Sequence, residues 1–251
     1  MGRAYIGTSG WSYRHWRGTV YPGHVRQSDW LSFLICHLDT VEVNSSFYRI
    51  PTLQMIARWN ELARPQFEFA LKMWRGITHY NKLKNAARNV ARFLEVVEVL
   101  ESGIRAPMLI QLPPNQGADI RKLNDFLREW ADVADARWRL AFEFRHDSWL
   151  TPETLVVLDR HRAALCLHDM AGKGAVSEPN SQAPFVYIRR HGPGAARYSG
   201  SYTSEQLKSD ASLIRGWTNS GRDVYVYFNN DSGGHAFHNA VELKSMLPGA
   251  E

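Results

Sequence analysis

Glu42 and Asn44 close one short apolar run, Thr40 to Asn44, and Glu143 and Arg145 close another that starts at Arg139. Residues two apart in a strand share a face, so each pair projects to one side. Lys72 ends the run from Phe67, Gln111 lies near the end of the run from Met108, and His168-Asp169 ends the run from Ala164. Tyr187, Arg189 and His191 alternate along the run from Phe185, and Asn229-Asn230-Asp231 follows Asp223 to Phe228. Two carboxylates, Glu42 and Glu143, suit proton transfer as an acid/base pair. His191 and His168 add groups whose ordinary pKa lies near neutrality. Lys72, Arg145 and Arg189, with Arg75 just beyond, set a cationic surplus against Glu42, Glu143 and Asp169, which favours an anionic ligand.

The segment Asn229 to Gly234 leads directly into a helical pattern. Free amides at a helix start, with Gly233 allowing close approach, make an anion cup. A tight turn capped by Asp231 or Ser232 is the structural alternative. Glu42, Glu143, Asp169 and His191 offer a second chemistry, ligation of a divalent metal, which the neighbouring cations oppose. His235 and His238 are spaced for ligation, but the spacing is weak evidence and surface positions explain them better. Trp11, Tyr13, Trp16 and Tyr21, then Phe47, Tyr48, Trp74 and Trp149, either stack on a sugar or base or pack as a lid. There is no Walker A loop, no HExxH and no GxSxG. Ser9 has no obvious base nearby in sequence, so a serine triad is not expected.

The elements that must position these groups alternate between strand and helix. Strands are expected at Ala4–Thr8, Thr40–Asn44, Phe67–Lys72, Met108–Leu112, Arg139–Phe144, Ala164–His168, Phe185–Arg190 and Asp223–Phe228. Helices are expected near 28–37, 52–62, 85–101, 119–131, from Thr151, from Ser204, and over 235–246. Val90, Phe93, Leu94, Val97 and Leu100 follow the 3.6-residue period. Thr151-Pro152-Glu153 carries a cap, a first-position proline and an acid in the first turn. A Gly/Pro/Ser-rich connection, Gly172 to Pro184, separates strands six and seven without a helical pattern. Strand–helix alternation implies parallel pairing. Eight such units imply an α/β fold, a TIM-like (β/α)8 barrel formed by residues 1–251 as a single domain, with its chemistry at the C-terminal strand ends. An open doubly wound sheet is the structural alternative, weakened by the absence of a Gly-rich dinucleotide turn after the first strand.

The 251 residues carry 30 Lys and Arg against 25 Asp and Glu, a net charge of +5, with 44% hydrophobic residues. That is enough apolar surface for a folded core, and it excludes a disordered or fibrous chain. No apolar run is long enough for a membrane-spanning helix, and no secretory leader is expected. Cys36 and Cys166 lie far apart, so a disulfide framework or structural zinc is not expected, and a cytoplasmic location is. The pI near 9.3 raises nucleic acid as a partner, although the basic residues are scattered and Arg outnumbers Lys.

Several strings carry a resemblance: Ile6-Gly7-Thr8-Ser9-Gly10-Trp11-Ser12-Tyr13 with Trp16-Arg17-Gly18 and Tyr21-Pro22; Thr40-Val41-Glu42-Val43-Asn44-Ser45-Ser46-Phe47-Tyr48-Arg49 with Pro51; and Phe69-Ala70-Leu71-Lys72 with Ile77-Thr78-His79. Phe142-Glu143-Phe144-Arg145-His146 with Ser148-Trp149, then Arg189-Arg190-His191-Gly192, then Tyr227-Phe228-Asn229-Asn230-Asp231 with Asn239-Ala240, complete the set. The chain resembles the YecE-like family, a domain of unknown function. Val20 and Arg190 depart from its pattern at positions that usually hold an aromatic and an apolar residue. The resemblance implies a TIM-like barrel and no established activity.

The expected function is therefore an enzyme acting on an anionic, phosphorylated small molecule by acid/base hydrolysis or elimination. Glu42, Glu143 and His191 are its candidate catalytic groups. Asn44, Lys72, Arg145, Arg189, Asn229, Asn230, Gly233 and Trp11 are its candidate ligand-binding groups. Two alternatives stay open: a divalent-metal-dependent phosphodiester nuclease or sugar isomerase, with Glu42, Glu143, Asp169 and His191 as ligands, and a non-enzymatic protein that binds nucleic acid or a phosphorylated ligand.

Overall fold

Short β-rich runs separated by amphipathic segments fold as the alternation requires. The computed structural model describes residues 1–170, 181–196 and 198–247. In chain order it contains β1 (Ala4–Ser9), α1 (Trp30–His37), β2 (Thr40–Val43), α2 (Ser45–Tyr48), α3 (Leu53–Leu62), β3 (Glu68–Leu71), α4 (Ala87–Val97), β4 (Met108–Gln111) and α5 (Ile120–Val133). There follow β5 (Leu140–Glu143), α6 (Pro152–Arg160), β6 (Ala164–Leu165), β7 (Leu167–His168), β8 (Phe185–Arg190), α7 (Ser204–Asn219), β9 (Asp223–Phe228) and α8 (His235–Ser245). Most of the Gly/Pro/Ser-rich connection from Gly172 lies outside the described residues. No helix among those described is long and apolar enough to cross a membrane.

The chain divides into two compact units. The first comprises Met1–Glu42, Leu167–Ser177 and Pro184–Glu251. Its strands run in the order β2-β1-β9-β8-β7, and the paired neighbours are parallel. Gly7 faces Thr40 across the β1–β2 pair, and a Cβ there would lie 2.1 Å from the Thr40 carbonyl oxygen. The missing side chain lets the two strands meet. Tyr225 stacks on Tyr5 at 4.6 Å, and Tyr187 and Tyr227 pack at 4.9 Å. α8 packs on β1 and β9, and α7 on β9 and α8.

The second unit comprises Val43–Cys166 and Glu178–Ala183. Its sheet runs β4-β5-β6, again parallel, with Gln111 in register with Glu143. β3 joins it through isolated bridges from Phe69 to Arg105 and from Lys72 to Leu109. α3, α4, α5 and α6 pack in succession. Phe93, Leu94 and Val97 are buried on α4, as the helical period requires. A closed ring of eight strands is not seen among the described residues.

Local chemistry accounts for the boundaries. Thr151 accepts the Thr154 N–H at 3.3 Å with Pro152 behind it, as its sequence signature predicts. Asp119 caps α5, and Thr203 with Gln206 forms a capping box on α7. The helix expected from Asn85 begins only at Ala87, because Asn85 adopts a left-handed φ of 48°. The expected sixth strand is interrupted at Cys166, so its halves pair with different partners, β6 with β5 and β7 with β8.

Candidate functional site

Polar groups gather at the strand ends of each unit. In the first unit Glu42 is fully buried, and three donors converge on its carboxylate. Tyr187 donates its hydroxyl to Oε2 at 2.7 Å, Arg189 Nη2 reaches Oε1 at 2.8 Å, and Ser9 donates its hydroxyl to Oε1. Arg189 Nη2 also lies 3.1 Å from Ser9 Oγ. Register explains the convergence: Ser9 faces Glu42 across β1–β2, and Tyr187 and Arg189 share one face of β8. Burial, followed by the Glu42 charge, pushes the Tyr187 hydroxyl well above its ordinary pKa. Tyr187 is therefore a fixed donor. Sequence reasoning set Ser9 aside because its partner lies 33 residues away. The 3D pairing of the first two strands is the signal that finds it.

His191 is also buried. Its backbone N–H donates to Asp169 Oδ1 at 2.7 Å, while Tyr202 donates its hydroxyl to Asp169 Oδ2 at 2.5 Å and accepts the Gly192 N–H at 2.7 Å. Burial and the Asp169 charge both raise the Tyr202 pKa. Asn229 Nδ2 sits 3.1 Å from His191 Nδ1. The amide is the donor there, so neutral His191 carries its proton on Nε2. His168 meets the His191 ring edge-on at 6.0 Å. Asn230 Nδ2 donates to Gly200 O at 2.8 Å and to Asn239 Oδ1 at 3.0 Å. Asn230 Oδ1 is buried without a hydrogen-bond partner among the described residues.

The expected anion cup at the start of α8 is closed partly on itself. Gly234 N–H donates to Asp231 O, and Ala236 N–H donates to Asn230 O. Gly233 and Gly234 take left-handed φ values of 64° and 80°, and a Cβ on Gly234 would lie 2.8 Å from Val20 Cγ2. Trp16 Nε1 and His15 Nε2 both bond the Asp231 carbonyl oxygen. Trp16 and Tyr21 are fully buried, so these two rings pack in the interior and are not open for stacking. Trp11 is half-buried, and its carbonyl accepts the Tyr21 hydroxyl at 2.7 Å.

In the second unit Glu143 and Arg145 form a buried ion pair. The Cys166 thiol lies 4.0 Å from Glu143 Oε2. Lys72 Nζ donates to Gln111 Oε1 at 2.8 Å and sits 4.4 Å over the Phe47 ring. Ser46, buried in α2, bonds both the Lys72 N–H and its carbonyl, which fixes the backbone of that lysine. Asn44 stands just before α2 and is half-buried. Trp149 stacks on Phe144 at 4.6 Å and is buried. Burial first, then the charges of Lys72 and Arg75, lower the His79 pKa to about 4. Among the described residues no three His, Cys, Asp or Glu side chains are grouped as a metal ion would need.

Comparison with known proteins agrees with the family-level reading. The model of the family described as "Protein of unknown function DUF72" matches residues 5–251. The UPF0759 protein YunF of Bacillus subtilis is 24% identical, over 97% of this chain and 94% of its own. The crystal structure of a DUF72 family protein from Thermotoga maritima superposes with a TM-score of 0.84 at 27% identity, covering 97% of this chain and 98% of that one. A DUF72 family protein from Enterococcus faecalis gives 0.81 at 21% identity, covering 97% and 95%. The fold is α/β with mostly parallel pairing, and the chain belongs to the DUF72 family.

Proposed function

We propose that the chain is an enzyme acting on an anionic, phosphorylated small molecule by acid/base hydrolysis or elimination. The observation that carries this reading is a pair of buried carboxylates, Glu42 and Glu143, each held by an arginine at a strand end. Apolar replacement of a buried ion pair is often neutral or stabilising, so stability alone does not account for two. Glu42 and Glu143 transfer protons in this reading. Lys72, Arg145 and Arg189 hold the anion, with His191, Asn44, Asn229 and Asn230 orienting it and Gly233 and Trp11 bordering it. Burial first, and then the positive charges of Lys72 and Arg75, lower the His79 pKa, and the second of these causes supports an anion held there. The buried Asn230 Oδ1 supports a substrate that brings a hydroxyl donor.

This reading includes the single (β/α)8 domain of TIM type and the cytoplasmic location expected from the sequence. Among the described residues, eight strand runs, seven of them followed by a helix, and the parallel ladders support the first. Metal ligation by Glu42, Glu143, Asp169 and His191 is the weaker reading, because Glu42 and Asp169 already accept three and two donors.

Thermal shift with inorganic phosphate and a panel of sugar phosphates is the test, followed by turnover of whichever ester stabilises. Stabilisation that Arg145→Gln abolishes, with turnover lost in Glu143→Gln, supports the reading. A panel in which no phosphate ester raises the melting temperature overturns it.

A further inference from the structure

Residues 69–94 contain six Lys or Arg and no Asp or Glu. Residues 43–60 add Arg49 and Arg58, again with no acid. Both stretches belong to the second unit. Within them Arg75 lies between two tyrosines, its guanidinium carbon 5.6 Å from the Tyr48 ring centre and 5.3 Å from that of Tyr80. Tyr48 and Tyr80 are 61% and 66% exposed. Phe47 meets Tyr48 edge-on at 5.0 Å, and Arg92 covers Trp74 at 5.9 Å. An exposed ring beside a guanidinium presents a flat stacking face next to a positive charge.

The backbone that carries Tyr80 is unusual. Gly76–Tyr80 is a π-helical turn, and Lys82, Leu83 and Asn85 follow with left-handed φ values of 49°, 65° and 48°. Non-glycine residues adopt that conformation only where their surroundings enforce it. Leu83 is buried and Gln116 Nε2 holds the Lys82 carbonyl, so the segment is anchored from below. Lys84, Arg88 and Arg92 are exposed around it.

We propose that this face binds single-stranded nucleic acid, with bases stacked on Tyr48 and Tyr80 and phosphates met by Arg75 and the surrounding cations. Stacking is sequence-tolerant, because every base has a π-face, and basic residues track the backbone. A duplex hides its base faces, and the hydroxyls and guanidinium here are a poor match for a hydrocarbon interior. The inference uses neither Glu42 nor Glu143 and shares only Arg75 with the catalytic reading above.

The test is fluorescence anisotropy with labelled RNA and DNA single strands of about 15 nucleotides, using the full chain. Affinity falls linearly in log–log salt titration, with a slope of about −0.7 per phosphate met. Tyr48→Ala and Tyr80→Ala each weaken binding about tenfold at unchanged slope, while the Phe variants keep it. Arg75→Gln with Arg92→Gln flattens the slope by about 1.4, two phosphates' worth. Both tyrosines are exposed, so their variants fold. Such tyrosine dependence in either arm supports the proposal, and the tighter arm names the polymer. Binding that ignores the tyrosine variants, or no measurable binding in either arm, overturns it. So does a preference for anionic phosphatidylserine vesicles over both strands.

Discussion

Tyr187 and Glu42 are 145 residues apart in sequence and joined by one hydrogen bond of 2.7 Å inside the first unit. The tyrosine stays protonated because it is buried beside that carboxylate. Glu42 Oε2 is thus held by a hydroxyl, and Oε1 by Ser9 and Arg189. The carboxylate is therefore fixed in orientation.

That arrangement predicts a graded loss of stability. Tyr187→Phe removes one donor to a buried charge and costs about 1–3 kcal/mol. Arg189→Met leaves Glu42 buried without its cation and costs about 3–5 kcal/mol. Arg189→Met combined with Glu42→Gln recovers part of that, because no net charge is then buried. Urea unfolding of the three variants and the wild type checks the order.

Much of this was legible in the sequence. Strands appear at all eight expected runs, the sixth of them split into β6 and β7, because a strand needs only its period and its stop. Strand phase also put Tyr187 and Arg189 on one face. The Ser9–Glu42 contact was not legible, since it depends on which strands become neighbours. Nor was the break at Cys166, where the hydrogen bonds of one run are divided between two sheets. The aromatics after the first strand were legible as a cluster, but ring burial depends on packing that sequence periodicity does not report.

His79 gives a pH signature with a definite sign. Its folded pKa is about 4, against 6.5 for the unconstrained group. Between those values the unfolded chain binds more protons, so the His79 contribution is complete above about pH 6.5 and is lost as pH falls toward 4. His79→Gln flattens the dependence of the urea midpoint in that window. An NMR titration of the His79 ring gives an inflection near pH 4, and phosphate bound beside Lys72 and Arg75 moves it upward.

Gly234 carries two independent constraints. Its φ is 80°, and a Cβ there meets Val20 Cγ2 at 2.8 Å. Gly234→Ala therefore costs about 1–3 kcal/mol through strain, with a further penalty from the contact. Gly18, whose φ is 86° but whose Cβ meets nothing within 4 Å, isolates the backbone part. Gly18→Ala is destabilising by the smaller amount, and thermal unfolding of both variants separates the two effects.

The Asn229–His191 contact sets a proton position that can be read directly. An amide donor at 3.1 Å from Nδ1 leaves the neutral ring protonated on Nε2. The nitrogen-15 shifts of the wild-type ring show that tautomer. Asn229→Asp replaces the donor with a carboxylate, which accepts a hydrogen bond from Nδ1–H and favours the imidazolium. Its spectrum moves toward the doubly protonated pattern at neutral pH. Asn229→Leu removes the donor without adding charge, so it loosens the tautomer preference without that shift. If His191 transfers a proton during turnover, Asn229→Asp displaces the pH optimum upward, whereas Asn229→Leu lowers the rate without moving it.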